Sequence, residues 1–415
     1  MKWSSIFLLL MLLACAKITH GQEGNQAFPD PFTFTNGKKV KTLKDWERRR
    51  GEILDIMTRE MYGMAPGRPK NIRFEVFDQN KNALAGKATR KQVTIHITEK
   101  GKEAQFDLLI YIPNHAKHPV PAIIGLNFIG NQAIHADPGI KLTTAWVENS
   151  KMFPCGADGK ATEACRGVNA SQWAVDSILA RGYALVTLYR EEVASDRKAQ
   201  AFQTGVHPLY PELQQREDNF GTVAAWAWAL SRGMDYLETD KDIDAKRVAV
   251  FGFSRLGKSA LWAGATDRRF AAVLSNESGA GGAKQFRRGM GEDINRLCTV
   301  FPHWFAGSFG KYKGRDTDLP FDQHFVLALI APRPVYLATA EDDKNSDPQG
   351  EFATAQAADT VYRFLGTNGL PEGPFPALNQ PLTGQIGFHI RPGGHDVKMF
   401  DWIQFLNFSD LHLQK

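Results

Sequence analysis

Six short apolar runs constrain this chain more than any other feature. They are PAIIGLNF from Pro121, YALVTLY from Tyr183, RVAVFGFS from Arg247, AAVLSNES from Ala271, PVYLATA from Pro334 and IGFHIR from Ile386. Most of them lack the alternation of a strand with one wet face, and each is too short for a helix, so they read as strands covered on both sides. Between them lie segments of helical period: ASQWAVDSILARG, DNFGTVAAWAWALSRGMDYLE, RLGKSALWAGA and QGEFATAQAADTVYRFLG, with DVKMFDWIQFLNFSDL closing the series. Strand and helix in alternation predict an α/β three-layer sandwich built on a mostly parallel sheet. Earlier in the chain, KQVTIHITEK and QFDLLIYIP flank a glycine-containing turn and predict an antiparallel hairpin at the edge of that sheet.

The 415 residues, 43% of them hydrophobic, suffice for one large core, and no long linker divides them. A single domain is expected from about residue 30 to 415, after a loose polar lead-in over 22–40. A helical period runs from Thr42, in TLKDWERRRGEILDIMTREMYG, with Trp46, Ile53, Ile56 and Met57 on one side. Two stretches, near 130–170 and 280–325, are long for loops; they read as insertions at the carboxyl ends of strands, where sites are built.

A net charge of +5 with no long Lys/Arg run gives no nucleic-acid signature. Residues 1–21, with Lys2 ahead of an apolar run and then small and polar residues, read as an export signal rather than a membrane span. A second exit from the signal stays open, since Leu12-Leu13-Ala14-Cys15 is close to a lipoprotein box that would lipidate Cys15. The protein is expected to be periplasmic or secreted, and monomeric. In CGADGKATEAC the spacing suggests a Cys155–Cys165 disulfide, with Cys298 a buried free thiol. With neither a CxxC pair nor HExxH, no metal site is expected.

The chemistry centres on GFSRLGK, residues 252–258, which joins a strand to a helix. The spacing Gly252-x-Ser254-x-x-Gly257 is one residue longer than the hydrolase elbow G-x-S-x-G. Ser254 is either a nucleophile held clear of the sheet or a serine capping a helix. A serine nucleophile needs a base and an orienting acid, and in such a sheet they follow in the order Ser, acid, His. The sequence supplies Glu277 after the next strand, Asp342 and Asp343 after the one beyond, and His395 in a glycine loop after the last. His389 lies inside a strand and is expected to pack there. His303, in FPHWF, is the second histidine candidate, for substrate contact.

GFSRLGK, NESGAGG, RRGMGEDINR, FPHWF and GGHD, in this order and with LNFIGN and RGYALVTLYREEV before them, resemble the glucuronoyl esterases, carbohydrate esterase family 15. The likeness spans most of the chain after residue 30. It implies an α/β-hydrolase with Ser254 as nucleophile and His395 as general base. Arg255 would meet the oxyanion, and Glu277 or Asp343, or both, would orient the histidine. It further implies that Lys258 and Glu292 hydrogen-bond a uronate; beside that, Trp304 and Phe305 in FPHWF are candidates for an aromatic wall on the substrate. The substrate would be an ester of glucuronic acid or its 4-O-methyl form, as links lignin to glucuronoxylan, and no cofactor would be needed. Two departures stand out. Asn345 occupies a position where relatives often carry Trp, and Phe253 replaces a cysteine found before the nucleophile in fungal members.

Two other readings compete. One is an acetyl or feruloyl xylan esterase using the same residues, which leaves the Arg255, Lys258 and Glu292 set unexplained. The other is a carbohydrate-binding protein without catalysis, which leaves an intact Ser, His and acid set unexplained.

Overall fold

The structure is a computed structural model, and it describes residues 28–414 except 118, 151–154 and 156. The expected signal over 1–21 and Cys15 lie outside the described residues. Nine strands form one sheet: β1 (Asn71–Ala83), β2 (Ala88–Glu99), β3 (Lys102–Pro113), β4 (Val120–Asn127), β5 (Ala184–Tyr189), β6 (Ile243–Phe253), β7 (Ala272–Asn276), β8 (Val335–Ala340) and β9 (Ile386–Arg391). Their order is β1-β2-β3-β5-β4-β6-β7-β8-β9. From β5 through β9 every neighbouring pair is parallel, whereas β1, β2, β3 and β5 pair antiparallel. The expected parallel sheet with an antiparallel edge is present.

The apolar runs are continuous because both faces of the sheet are covered. Along β4, Ile124 and Leu126 join one core while Ile123 joins the other; along β6, Val248 and Val250 face one way, Ala249 and Phe251 the other. The first core is closed by the helix Thr222–Leu237, every residue of which is buried, and by helices Leu43–Met57, Arg255–Thr266 and Pro348–Phe364. The second is closed by Val175–Ala180 and the terminal helix Met399–Leu413, with Trp173, Trp402, Phe405 and Phe408 packed against the strands.

Local details follow from local chemistry. Thr42 and Asp45 form a reciprocal capping box that starts the first helix, which buries Trp46, Ile53 and Met57. Ile56, expected on the same side, is only partly buried against that core. The expected loose lead-in is packed where it is described: Phe34 and Val40 are buried, and the Pro29 carbonyl accepts a hydrogen bond from His324. β1 lengthens the hairpin into a meander. The cysteine expectation is corrected as well: Cys155 and Cys165 are free thiols, and Cys298 is free but only half-buried. Cys155 and Cys165 are hydrogen-bonded neighbours, and burial pushes the Cys155 thiol up to about 12. Among the described residues no helix is long and apolar enough to cross a membrane.

Candidate active site

Ser254 follows β6 directly and opens the helix Arg255–Thr266. Its backbone sits at φ 57°, ψ −131°, a conformation costly for a residue with a Cβ and found where structure over-determines it. Gly252 makes this turn sterically possible, because a Cβ there would stand 2.1 Å from the Leu256 carbonyl oxygen. The extra residue in the motif is absorbed in the first helical turn, where Gly257 packs against Ser278. Although Ser254 occupies the N-cap position, its side chain makes no capping hydrogen bond. The hydroxyl lies 2.8 Å from His395 Nε2 instead.

His395 Nδ1–H points at two carboxylates, Asp343 Oδ2 at 2.6 Å and Glu277 Oε2 at 3.0 Å. Ser254, Glu277, Asp343 and His395 therefore follow the carboxyl ends of four neighbouring strands, β6 to β9. Asp342, the alternative acid, is exposed and does not contact the histidine. Asp343 is fixed by the Ser346 hydroxyl and backbone N–H. Glu277 is fixed at a positive φ of 47° by Arg391, whose guanidinium donates at 2.6 Å, and by the Asp396 N–H at 3.0 Å. Arg391 in turn donates to Asp401 on the terminal helix.

The two acids differ electrostatically. Burial pushes the Glu277 carboxyl up to about 7, against the pull of His395 and Arg391. Burial also opposes ionisation of Asp343, but hydrogen bonds from His395 and Ser346 prevail and hold it below its ordinary value. For His395, burial disfavours the imidazolium, yet hydrogen bonds to Asp343 and Glu277 push it up to about 9. Glu277, Asp343 and His395 also offer ligand atoms within 4.8 Å of one another. In each of them those atoms are already engaged in the hydrogen bonds just described.

Beside Ser254 opens a cavity of about 380 Å³ lined by Phe128, Val168, Phe253, Arg190, Arg255 and His395, among others. Glu148, Val168 and Asn169, from the stretch near 130–170, form part of its wall. Phe253, at the position of the fungal cysteine, lays its ring 4.7 Å from that of His395. Arg255 reaches the cavity with its guanidinium over the Trp304 ring and Nη1 on Asp196 at 2.6 Å. Lys258 is buried; it donates to the Ser278 carbonyl at 2.7 Å and lies 3.4 Å from Glu292 Oε2, and burial lowers its pKa. Asn345 is exposed, and its carbonyl accepts from the Glu292 N–H at 3.3 Å.

Trp304 and His303 depart from expectation. Both are 2% exposed. Trp304 Nε1–H donates to Asp196 Oδ1 at 2.6 Å, and His303 Nε2–H to the Asp196 carbonyl at 3.0 Å. Buried N–H groups need acceptors, and Asp196 supplies them, so these two rings back Arg255 instead of lining the cavity. Sequence reasoning missed Asp196, Arg190 and Arg391. Their only signal was a cluster of charges, YREEVASDR, immediately after a buried strand, and an arginine ending the last one.

A twisted, mostly parallel sheet carrying a strained serine at a strand-to-helix turn defines an α/β-hydrolase. Residues 157–366 match the family model described as glucuronyl esterase, fungi. A carbohydrate esterase from an unknown prokaryotic organism is 45% identical over 93% of this chain and 89% of its own length. The 4-O-methyl-glucuronoyl methylesterase of Schizophyllum commune is 27% identical over 86% and 81%. Among solved structures, a glucuronoyl esterase from Solibacter usitatus superposes with TM-score 0.87 at 44% identity, covering 93% of this chain and 98% of that one. An esterase of carbohydrate esterase family 15 from a marine bacterial metagenome, described as promiscuous, superposes with TM-score 0.88 at 43% identity over 94% and 98%. The chain belongs to the glucuronoyl esterases of carbohydrate esterase family 15, and it is a carboxylic ester hydrolase.

Proposed function

We propose that this enzyme hydrolyses esters of glucuronic acid or 4-O-methyl-glucuronic acid, as found where lignin alcohols are linked to glucuronoxylan. The observation that carries the reading is the unbroken chain from Ser254 Oγ through His395 to two carboxylates, beside an arginine that reaches the same cavity. His395 Nε2 takes the Ser254 proton as Oγ attacks the ester carbonyl carbon. The carbonyl oxygen becomes an oxyanion, which the Arg255 guanidinium meets. As the tetrahedral intermediate collapses, the bond to the alcohol breaks and His395 returns the proton to the leaving oxygen. Water, deprotonated by His395, then releases the uronate from Ser254. Asp343 and Glu277 hold the Nδ1–H tautomer and stabilise the imidazolium formed in each half-reaction. Lys258 and Glu292 hydrogen-bond the uronate hydroxyls. No cofactor enters these steps. The protein is exported, by the signal at 1–21 or with a lipid on Cys15, and acts as a monomer.

A second reading is an ester hydrolase of wider range that also removes acetyl or feruloyl groups from xylan. Asn345 favours it, since that residue offers no ring to stack on a sugar, and a relative of high similarity is described as promiscuous. One experiment separates the two: hydrolysis of a benzyl glucuronate ester beside a simple acetate ester and acetylated xylan, with Ser254→Ala as control. A strong preference for the glucuronate supports the first reading, and preference for acetate supports the second. Turnover that survives in a folded Ser254→Ala variant refutes the mechanism.

A further inference from the structure

We propose that Asp196 is a positioning residue that sets the aim of the oxyanion arginine; the proposal rests on the role given to Arg255 above. Asp196 is held from four directions. Its Oδ2 accepts from Arg255 Nη1 at 2.6 Å and from Arg190 Nη1, its Oδ1 from Trp304 Nε1, and its backbone carbonyl from His303. Its own N–H donates to Glu191 Oε1 at 2.8 Å. The side chain is 5% exposed. Burial disfavours the carboxylate, but Arg190 and Arg255 overcome this and keep it ionised far below the ordinary range.

Of the groups gathered on this carboxylate, Arg190 and Arg255 line the cavity beside Ser254. Arg190 is buried, pinned also by Glu191 at 3.3 Å, and packed over Phe128 and Trp226. Arg255 is the more exposed member of the pair: its side chain is 31% exposed against 4% for Arg190, and its Nε, like that of Arg190, has no hydrogen-bond partner. Among the described residues its guanidinium makes one hydrogen bond, the one to Asp196. Its remaining support is stacking, 4.9 Å over Trp304 and 5.6 Å over Phe301. Stacking restrains the plane of a guanidinium but not its rotation within that plane; a fixed acceptor at Nη1 does. An oxyanion donor must be aimed before charge develops, because reorganisation during the reaction forfeits its advantage. Asp196 thus links three separate loops, those carrying VASDR, GFSR and FPHWF, to one geometric requirement. His303 and Trp304 act through it.

The test is a kinetic cycle on a benzyl glucuronate ester, using Asp196→Asn, Arg255→Ala and the double variant, with folding checked by thermal denaturation. Asp196→Asn is expected to lower kcat by about 10- to 100-fold while KM stays within about threefold, because an aiming defect acts on the transition state. The double variant is expected to be no slower than Arg255→Ala by more than about twofold, since removing the aim of an absent group costs nothing further. If Asp196→Asn retains full kcat while Arg255→Ala does not, or if the two losses multiply, the proposal is overturned and the mechanism stands. If Arg255→Ala itself retains full kcat, the oxyanion role falls and the proposal falls with it. Should Asp196→Asn fail to fold, Trp304→Phe removes one hydrogen bond to the same carboxylate while leaving a smaller aromatic ring beneath Arg255. Its smaller loss of kcat should vanish when Arg255 is already alanine; a loss that persists there overturns the proposal.

Discussion

Replacing Asp343 by Asn, and separately Glu277 by Gln, tests whether two carboxylates share one histidine. His395 rises from an ordinary 6.5 to about 9. Taken at face value that rise is about 3 kcal/mol of preference for the imidazolium. The His395 side chain is 42% exposed, so solvent screening reduces the figure to about 1.5–2 kcal/mol, divided between two acids. Losing either acid then removes about 1 kcal/mol, or roughly a five- to tenfold fall in kcat/KM on the plateau above the histidine's pKa, where the free base is neutral. A lone orienting acid, as in the familiar serine protease triad, costs about 10⁴-fold when lost. The general base must be neutral to act, so activity rises with pH through the histidine's pKa. Both substitutions lower that pKa, so the acid limb of the kcat/KM profile moves to lower pH in each. Asp343→Asn should move it further, because Asp343 is held ionised while Glu277 is pushed up to about 7. The assay is kcat/KM for benzyl glucuronate between pH 4 and 10, a window of about six units spanning the ordinary histidine range on both sides. A fall near 10⁴-fold from one substitution with none from the other refutes the sharing, as does an acid limb that neither substitution moves.

Two further outcomes follow from geometry. Lys258→Met keeps the buried stem but deletes the ammonium; KM for the glucuronate ester should rise about tenfold or more while a simple acetate ester is unaffected, as steady-state kinetics on both substrates will show. Gly252→Ala would place a methyl 2.1 Å from the Leu256 carbonyl; the variant should lose at least about 2 kcal/mol in urea unfolding together with its activity, and an unchanged midpoint would show that the elbow is not tight.

The buried strands were legible because both faces of each are covered, which leaves an uninterrupted apolar run. β1 was not, since DQNKN within it is polar and an edge strand exposes most of its residues. Ser254 and His395 were readable from local patterns: a strand-to-helix turn with small residues, and a glycine loop after the last strand. Asp343 and Glu277 could be nominated but not ranked, because the difference between them lies in who surrounds each carboxylate. Arg391 reaches Glu277 from 114 residues away, and Ser346 reaches Asp343 from within its own loop. Asp196 illustrates the limit most plainly. Its partners Arg255 and Trp304 are 59 and 108 residues distant, so no local pattern marks it. FPHWF was noticed for the right rings and assigned the wrong neighbour, since whether an aromatic faces ligand or core depends on where its N–H finds an acceptor.

The four strands β6 to β9 act as a ruler. Neighbouring strands in any sheet stand about 4.8 Å apart, a spacing fixed by backbone hydrogen bonds and indifferent to side chains. Because Ser254, Glu277, Asp343 and His395 follow successive graduations of that ruler, the distances among them are inherited from the sheet. The stretch near 130–170, which lends Glu148, Val168 and Asn169 to the cavity wall, hangs from the same edge but does not set its scale. Its length and composition are free to drift without moving the reacting groups. In such a molecule the range of substrates and the power to cleave them are separable traits, carried by different parts of one chain.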